Sequence, residues 1–507
     1  MSGYNLDELL PEKGFHVARA LVGSEGTCVL VLSATANLVY NPPVRPLLVL
    51  GFKDVFEAAD HVPLALPFKP VGLEGLDDTF IDDMVRKGLH DPAVQRLPEG
   101  KGWLLCEFGG KSKEESDAPA RALMENLRQS GHSPAMKLFD DPAMEAHIWH
   151  LREAGLGATA RVPGEPDNWE GWEDAAVPPE KGGAYLRDFK ALMDKYGYEG
   201  ALYGHFGDGC MHTRLNFEFA TREGIEQYRH FVEEAADLVV RHGGSLTGEH
   251  GDGQARGELL TRMYGKELIE AFREFKEIWD PHLKMNPGKV IGPYRNDENL
   301  KYGTEYNPAD PATRFRFPDD KHSLSYATQR CVGAGVCRRK QGGTMCPSYM
   351  VTMEEKHSTR GRARMLFEML EGSPVKGGWK SEEVKESLDL CLSCKGCKGD
   401  CFPSDEDALR LSRQTYLLSE FLKKKAPDYK PPKLHRKALL HGHCHHKSIM
   451  KMDDEQALLA EMGLEIDAPD TGCFLRAIVK QFRLHSISSL RSRRHLGRTS
   501  IGRQEAA

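Results

Sequence analysis

The chain has 507 residues, of which 40% are hydrophobic and 28% charged, with a formal net charge of −7. That length has room for roughly three domains of ordinary size, and the mild acidity leaves no basic face for nucleic acid. No run approaches the ~18 apolar residues of a membrane-spanning helix. The opening SGYNLDELLPE has neither the basic region nor the apolar core of a signal peptide. A cytoplasmic protein is therefore expected, at most peripheral to the inner face of the membrane.

Residues 1–45 read as turn, strand, glycine turn and strand, with ARALVGSEGTCVLVLSATANLVY opening as if in mid-domain. The VGSEGT stretch by itself is a plain turn between strands. From 46 to 292 strands and helices alternate in an α+β pattern. LLVLGF (47–52) and KGWLLCEFGG (101–110) are buried strands, and DAPARALMENLRQSG (117–131) is a helix. PAMEAHIWHLREAGL is helical and carries Arg152, and TRLNFEFA (213–220) alternates as a half-buried strand. In REGIEQYRHFVEEAADLVVRHGG, Ile225, Tyr228, Phe231, Val232, Ala235, Leu238 and Val239 make one helical stripe, closed by Gly243. Residues 293–320 are polar and rich in Pro, Asp and Asn, and read as a linker. A cysteine-bearing domain follows over 321–425, then a second linker, KKKAPDYKPPK. A new unit over 435–473 opens with ALLHGHCHHKSIM. Residues 474–507 hold seven arginines and one lysine against one glutamate, and read as an aberrant basic tail left by an altered reading frame or a truncated gene, with a genuine basic tail as the alternative.

Seven of the twelve cysteines fall between Cys331 and Cys401. In a cytoplasmic protein such crowding points to metal rather than to disulfides. CLSCKGCKGDC supplies Cys391, Cys394, Cys397 and Cys401, three closely spaced thiolates and a fourth, as iron–sulfur cubes require. CVGAGVCRRKQGGTMCP adds Cys331, Cys337 and Cys346. Zinc is the competing reading, but it favours paired C-x2-C knuckles. One 4Fe-4S cluster is expected on Cys391, Cys394, Cys397 and Cys346. A second, on Cys331, Cys337 and Cys401, lacks an eighth cysteine and needs another ligand or a three-iron form. Clusters move single electrons, so a partner group must collect a substrate's electron pair, as a flavin does.

YGHFGDGCMH (203–212) and TGEHGDG (247–253) fit neither helix nor core strand. His205 and His212 flank a glycine turn, and with Glu249 they make a donor set for a divalent cation. His212 and Arg214 fall on one face of the following strand, where Arg214 suits a carboxylate. His250, beside Glu249, titrates near working pH and suits a base. The bland alternative is a set of surface histidines with satisfied hydrogen bonds. Glycines in both loops favour a site, as places of close approach to a ligand.

The succession VGSEGT, HFGDGCMH, GEHGDG and DPHLKMNPGKVIGP resembles FAD-linked 2-hydroxyacid dehydrogenases of the vanillyl-alcohol-oxidase fold, such as D-lactate and D-2-hydroxyglutarate dehydrogenases. The stretch RCVGAGVCRR…MCPSY…HSTRGRAR…CLSCKGCKGDC resembles the 4Fe-4S ferredoxin-type module fused to such oxidases in large bacterial proteins. HGHCHHK…DTGC, with Cys444 and Cys473, is similar to the start of a cysteine-rich domain of the heterodisulfide-reductase kind. The resemblance implies that residues 1–45 are the end of an FAD-binding domain and 46–292 a ferredoxin-like α+β substrate domain. A mainly α-helical iron–sulfur domain would follow. Gly23, Ser24, Glu25, Gly26 and Thr27 would line FAD, and His205, His212 and Glu249 would hold zinc, manganese or iron. His250 would stand by the substrate hydroxyl, with Arg152 and Arg214 on its carboxylate.

The pattern departs from the family's in five places: it lacks the glycine-rich FAD loop that relatives carry far upstream of VGSEGT, Cys473 runs into Phe474 where relatives read C-C-G, and three differences lie in the oxidase part. Cys210 and Met211 replace the usual Asn-Leu, Arg214 stands where many relatives have Asn, and GWEDAAVPP occupies the place of a substrate lysine. The expected activity is oxidation of a D-2-hydroxyacid, with electrons passing through the clusters to a quinone, cytochrome or electron-transfer flavoprotein. The alternative is an incomplete, non-catalytic iron–sulfur electron-transfer protein.

Overall fold

A computed structural model describes residues 2–87, 94–131, 133–153, 155–314, 316–333, 335–340, 346–393, 418–426, 428–434, 436–440 and 452–468. The chain divides into two compact units that part between Tyr306 and Asn307.

The first unit is organised by LLVLGF. As β1 (Leu47–Phe52), this run is buried at every position. Leu48, Leu50 and Phe52 face one apolar core, and Leu47 and Val49 face another. A continuous apolar strand is what a sheet covered on both sides demands. Around it lie β2 (Gly72–Asp77), β3 (Gly102–Glu107), β4 (Ala135–Phe139), β5 (Asp174–Ala176), β6 (Leu202–Gly204) and β7 (Cys210–Thr213). They form one sheet in the order β4-β1-β3-β2-β6-β7-β5, with every neighbouring pair antiparallel.

The helices are α1 (Val17–Ala20), α2 (Val55–Asp60), α3 (Val62–Ala65), α4 (Asp78–Arg86), α5 (Lys113–Gln129), α6 (Pro142–Glu153), α7 (Gly155–Thr159), α8 (Gly182–Tyr196), α9 (Arg222–Arg241), α10 (Gly253–Gly257) and α11 (Leu260–Trp279). Ala58 of α2, Leu123 of α5, Phe189 of α8 and Phe231 of α9 fill the larger core, while Phe80 of α4, Leu151 of α6 and Ala158 of α7 fill the smaller. The expected α+β class is what is seen. Within α9, Tyr228, Phe231, Val232, Ala235, Leu238 and Val239 of the predicted stripe are buried. Gly243 closes it at a φ of +74°. The 117–131 helix starts earlier, at Lys113, because the Ser112 side chain accepts from the Glu115 N–H.

Three sequence expectations fail. ARALV forms the short α1 rather than a strand, and residues 29–42 form no regular structure. Leu30, Val31, Leu32, Leu38 and Val39 are all more than half exposed. A strand is stabilised only by pairing, and among the described residues this run pairs with no other strand. TRLNFEFA is likewise not a full strand. β7 stops at Thr213, and beyond an isolated bridge between Leu215 and Trp169 the Phe217 N–H turns back onto the Leu215 carbonyl.

In the second unit the described helices are α12 (Leu324–Thr328), α13 (Pro347–Thr352), α14 (Thr359–Glu371), α15 (Glu382–Asp389), α16 (Leu418–Lys425) and α17 (Asp453–Glu461). A parallel pair, β8 (Lys437–Leu439) and β9 (Glu465–Asp467), flanks α17 in sequence. Cys394, Cys397, Cys401, Cys444, Cys473 and the basic tail lie outside the described residues. Among the described residues no helix is long and apolar enough to cross a membrane.

Asp77 joins β2, α4 and β6, since its carboxylate accepts from the Phe80 N–H at 2.8 Å and the Leu202 N–H at 2.7 Å. Asp77→Ala removes a helix cap, worth about 1 kcal/mol, and strands a buried donor, worth about 1–3 kcal/mol. A melting transition lowered by several degrees, followed by tryptophan fluorescence, is the expected result.

Candidate active site

The β6–β7 hairpin places the two histidines. Tyr203 pairs with His212, and Leu202 with Thr213, so His205 follows directly after β6 while His212 lies within β7. Gly209, at a φ of +70°, closes the turn, and a Cβ there would sit 1.8 Å from the Val177 carbonyl oxygen. On the other side of β7, Asp174 of β5 pairs with His212.

Asp174 also draws in the second loop. Its fully buried carboxylate accepts from the Thr247 hydroxyl, the Glu249 N–H at 3.1 Å and the His250 N–H at 2.7 Å. The Gly248 N–H bonds the Asp174 carbonyl at 2.7 Å, and Arg256 stands 3.3 Å from the same carboxylate. Burial alone would raise this acid. The Arg256 charge and the hydrogen bonds bring it below the usual carboxylate range.

The two loops converge. Glu249 Oε1 lies 3.1 Å from His205 Nε2, 3.2 Å from His212 Nε2 and 3.4 Å from His250 Nε2. The His205 and His212 rings stand edge to face at 5.2 Å, and those of His212 and His250 stack at 5.1 Å. Ligand atoms of His205, His212 and Glu249 all lie within 4.8 Å of one another, a spacing shared by Glu173, His212 and His250. Two imidazoles and a carboxylate at that spacing fit a first-row divalent cation. His212 is nearly buried, while His250 and Glu249 keep over two-fifths of their side chains exposed, so the cluster opens to solvent.

Each imidazole has a different electrical setting. The Glu74 hydrogen bond to His205 Nδ1, at 2.7 Å, raises the His205 pKa. Burial, with the charges of Arg152, His205 and His250, lowers that of His212 and keeps it neutral. Its Nδ1 is buried without a hydrogen-bond partner. The Glu173 carboxylate, 3.3 Å from His250 Nδ1, raises the His250 pKa. Although burial would raise Glu74, the His205 hydrogen bond and the Arg152 charge hold it below its ordinary value.

Both predicted arginines pair with acids the sequence reading missed. Arg152 Nε donates to Glu74 at 2.6 Å, with its guanidinium 3.5 Å from His205 Nδ1. Arg214 is 3% exposed and meets Glu170 at 2.9 Å. Glu170, Glu173 and Asp174 all come from EGWED, where the sequence showed only a missing lysine.

The Gly23–Thr27 turn packs against the second loop. Glu25 accepts from the Asp252 N–H at 2.7 Å and the Gly253 N–H at 2.8 Å. A Cβ on Gly251 would meet that carboxylate at 2.9 Å. The glycines at Gly209 and Gly251 therefore admit other parts of the chain, not a ligand, which corrects the expectation drawn from them. Thr27 bonds Ser24 and Tyr4, while open space lies over Gly23 and Gly26.

In the second unit Cys337 and Cys346 are buried together with Tyr349 and Met350, while Cys331 and Cys391 are exposed. Burial pushes the Cys346 thiol up, but the Tyr349 N–H and the Arg362 guanidinium outweigh it and leave the thiol below its ordinary range.

Residues 41–290 match the family model described as FAD linked oxidases, C-terminal domain, and residues 307–405 match a 4Fe-4S dicluster domain. The chain joins an FAD-linked oxidase C-terminal domain to a 4Fe-4S dicluster domain. Over 446 residues it is 25% identical to the D-2-hydroxyglutarate dehydrogenase of Haemophilus influenzae, covering 79% of this chain and 43% of that protein. Over 283 residues it is 28% identical to glycolate oxidase subunit GlcD of Bacillus subtilis, covering 55% and 57%. Among solved structures, 4-ethylphenol oxidase from Gulosibacter chungangensis matches 49% of this chain and 54% of its own at 14% identity and a TM-score of 0.34. The chain thus spans less than half the length of the dehydrogenase it matches.

Within the oxidase domain, Asp174→Ala removes three bonds that hold the second loop. At about 1–3 kcal/mol for each stranded donor, hydrogen exchange at Glu249 and His250 should speed up about ten- to hundred-fold or more. Mass spectrometry of exchange reads this directly, and unchanged protection would assign the loop to other restraints.

Proposed function

We propose that this chain carries the substrate- and metal-binding part of an FAD-dependent oxidoreductase that oxidises a D-2-hydroxyacid and passes electrons through iron–sulfur clusters to an external acceptor. The observation that carries the reading is Glu249 Oε1 lying 3.1–3.4 Å from three imidazole nitrogens contributed by two separate loops. Relatives named as dehydrogenases of D-2-hydroxyglutarate and as a glycolate oxidase subunit support a 2-hydroxyacid substrate.

In this reading His205, His212 and Glu249 hold the cation. The Glu74 carboxylate orients His205 through Nδ1, leaving Nε2 as the ligand atom, and neutral His212 offers a lone pair. The alternative grouping on Glu173 is disfavoured because that acid is already engaged by His250 Nδ1. A cation so held lowers the pKa of a coordinated hydroxyl, and flavin supplies a hydride acceptor. His250 takes the hydroxyl proton at Nε2, because Glu173 occupies Nδ1 and stabilises the resulting imidazolium. Arg214 exchanges its partner Glu170, an exposed acid, for the substrate carboxylate, and Arg152 steadies Glu74. The Gly23–Thr27 turn, held to the second loop by Glu25, offers the open side of Gly23 and Gly26 to the flavin.

Metal analysis of the purified chain tests the ligand set. Wild-type protein should retain about one equivalent of zinc, manganese or iron after dialysis. His205→Ala and Glu249→Gln should lose it, and Glu74→Gln should weaken affinity about 10–100-fold. Full metal content in His205→Ala ends this assignment. A chain with cluster absorbance but no metal at the imidazoles fits an iron–sulfur electron-transfer protein without catalysis of its own.

Arg214→Met should weaken binding of D-2-hydroxyacids to the metal-loaded chain about ten- to hundred-fold, for loss of one charge-assisted pair of about 1.5–3 kcal/mol. Calorimetry with D-lactate and D-2-hydroxyglutarate measures it, and equal affinity in the variant removes Arg214 from the carboxylate seat.

A further inference from the structure

The sequence HSTRGRAR lies between the two cysteine groups and has no role in the chemistry described so far. In the structure it opens α14, and its side chains reach the first group and the helix that leads toward the second. Arg360 donates to the Gly333 carbonyl at 2.7 Å, inside the loop from Cys331 to Cys337, while Glu355 holds its Nε at 2.6 Å. Arg362 donates through Nε to the Ser387 carbonyl at 2.8 Å, in the helix that runs toward Cys391. One of its terminal nitrogens lies 2.9 Å from Cys346 Sγ, and the other is buried without a hydrogen-bond partner. The Ser348 hydroxyl, two residues from Cys346, bonds the Leu390 carbonyl, so the same helix junction ties Cys346 to the approach to Cys391.

A guanidinium keeps its charge in any surroundings, and five fixed donors let it bond a sulfur and a carbonyl together. Hydrogen bonds to ligand sulfurs and the net charge beside a cluster set its reduction potential. We propose that Arg362 poises the cluster bound through Cys346, donating to the ligand sulfur and favouring the reduced state. This rests on the iron–sulfur reading of Cys346 given above. When such a cluster takes up one electron its net charge falls by one, and the nearby fixed positive charge offsets that gain. Arg360, bonded to a carbonyl rather than to sulfur, acts on the geometry of the Cys331–Cys337 loop.

The test uses the full chain reconstituted anaerobically with ferrous iron and sulfide, then titrated with dithionite under electron paramagnetic resonance. Cys346→Ser identifies the signal of the cluster concerned. Arg362→Gln should lower its reduced-to-oxidised ratio at fixed potential about ten-fold, a shift of ~59 mV for a one-electron couple. Arg364→Gln, the same charge change on the same helix at a residue paired with Glu368, should leave the potential in place.

Arg362→Lys, which keeps the charge and a donor, should hold the cluster and stay near the wild-type potential. An unmoved potential in Arg362→Gln at full iron and sulfide content overturns the proposal. Equal shifts in Arg362→Gln and Arg364→Gln also overturn it, as general electrostatics. Loss of the cluster from Arg362→Gln and Arg362→Lys alike makes the arginine a structural post and overturns it too. Loss from Arg362→Gln alone supports it. A wild-type chain that takes up no iron, or holds zinc instead, overturns this proposal and the iron–sulfur reading together.

Discussion

The carboxylate of Asp174 is the constraint from which the geometry of the imidazole cluster follows. Its backbone belongs to β5 and pairs with His212, while its side chain gathers the Thr247 hydroxyl and the amides of Glu249 and His250. One buried residue thus fixes the hairpin and the second loop in the same frame. A buried carboxylate is costly unless it is paired. Here one oxygen takes the Thr247 hydroxyl and the Glu249 and His250 amides, so the bonds that offset its burial also position the second loop, while the other oxygen faces the Arg256 guanidinium at 3.3 Å.

Around that frame the charges alternate. Glu74 stands between Arg152 and His205, Glu249 among three imidazoles, Glu173 beside His250, and Glu170 on Arg214. Every cationic group in the cluster has an acid against it, and the one imidazole left most desolvated, His212, is the one kept neutral. Chemical roles are separated by environment rather than by residue type: three histidines within a few ångströms differ in which nitrogen is occupied and in how readily each takes a proton.

Local sequence carried the parts of this arrangement that depend on local chemistry. The seven-residue spacing of His205 and His212 around Gly209 announces a turn with two imidazoles, and Glu249-His250 stands out by composition. LLVLGF reads as a strand buried on both faces, and it is one. What escaped was non-local. Glu74 contacts His205 from 131 positions away, and nothing in LEGLD marks it. Glu173 and Asp174 were visible only as an odd segment where a lysine was expected. The 28–40 run was misread because apolar alternation reports a capacity for pairing, while pairing itself depends on a sheet edge elsewhere. Arg362 stands in HSTRGRAR, sixteen positions from Cys346, and only the fold brings its guanidinium to that sulfur.

The bare run from Leu30 to Tyr40 has a colloidal consequence. CVLVLSATANLVY contains no charged residue, is rich in β-branched and aliphatic side chains, and leaves Leu32, Leu38 and Val39 about nine-tenths exposed. Segments of that composition template intermolecular sheets, and the prolines at 42 and 43 guard only one end. Intermolecular strand pairing in a concentrated solution of this polypeptide would therefore start at that stretch.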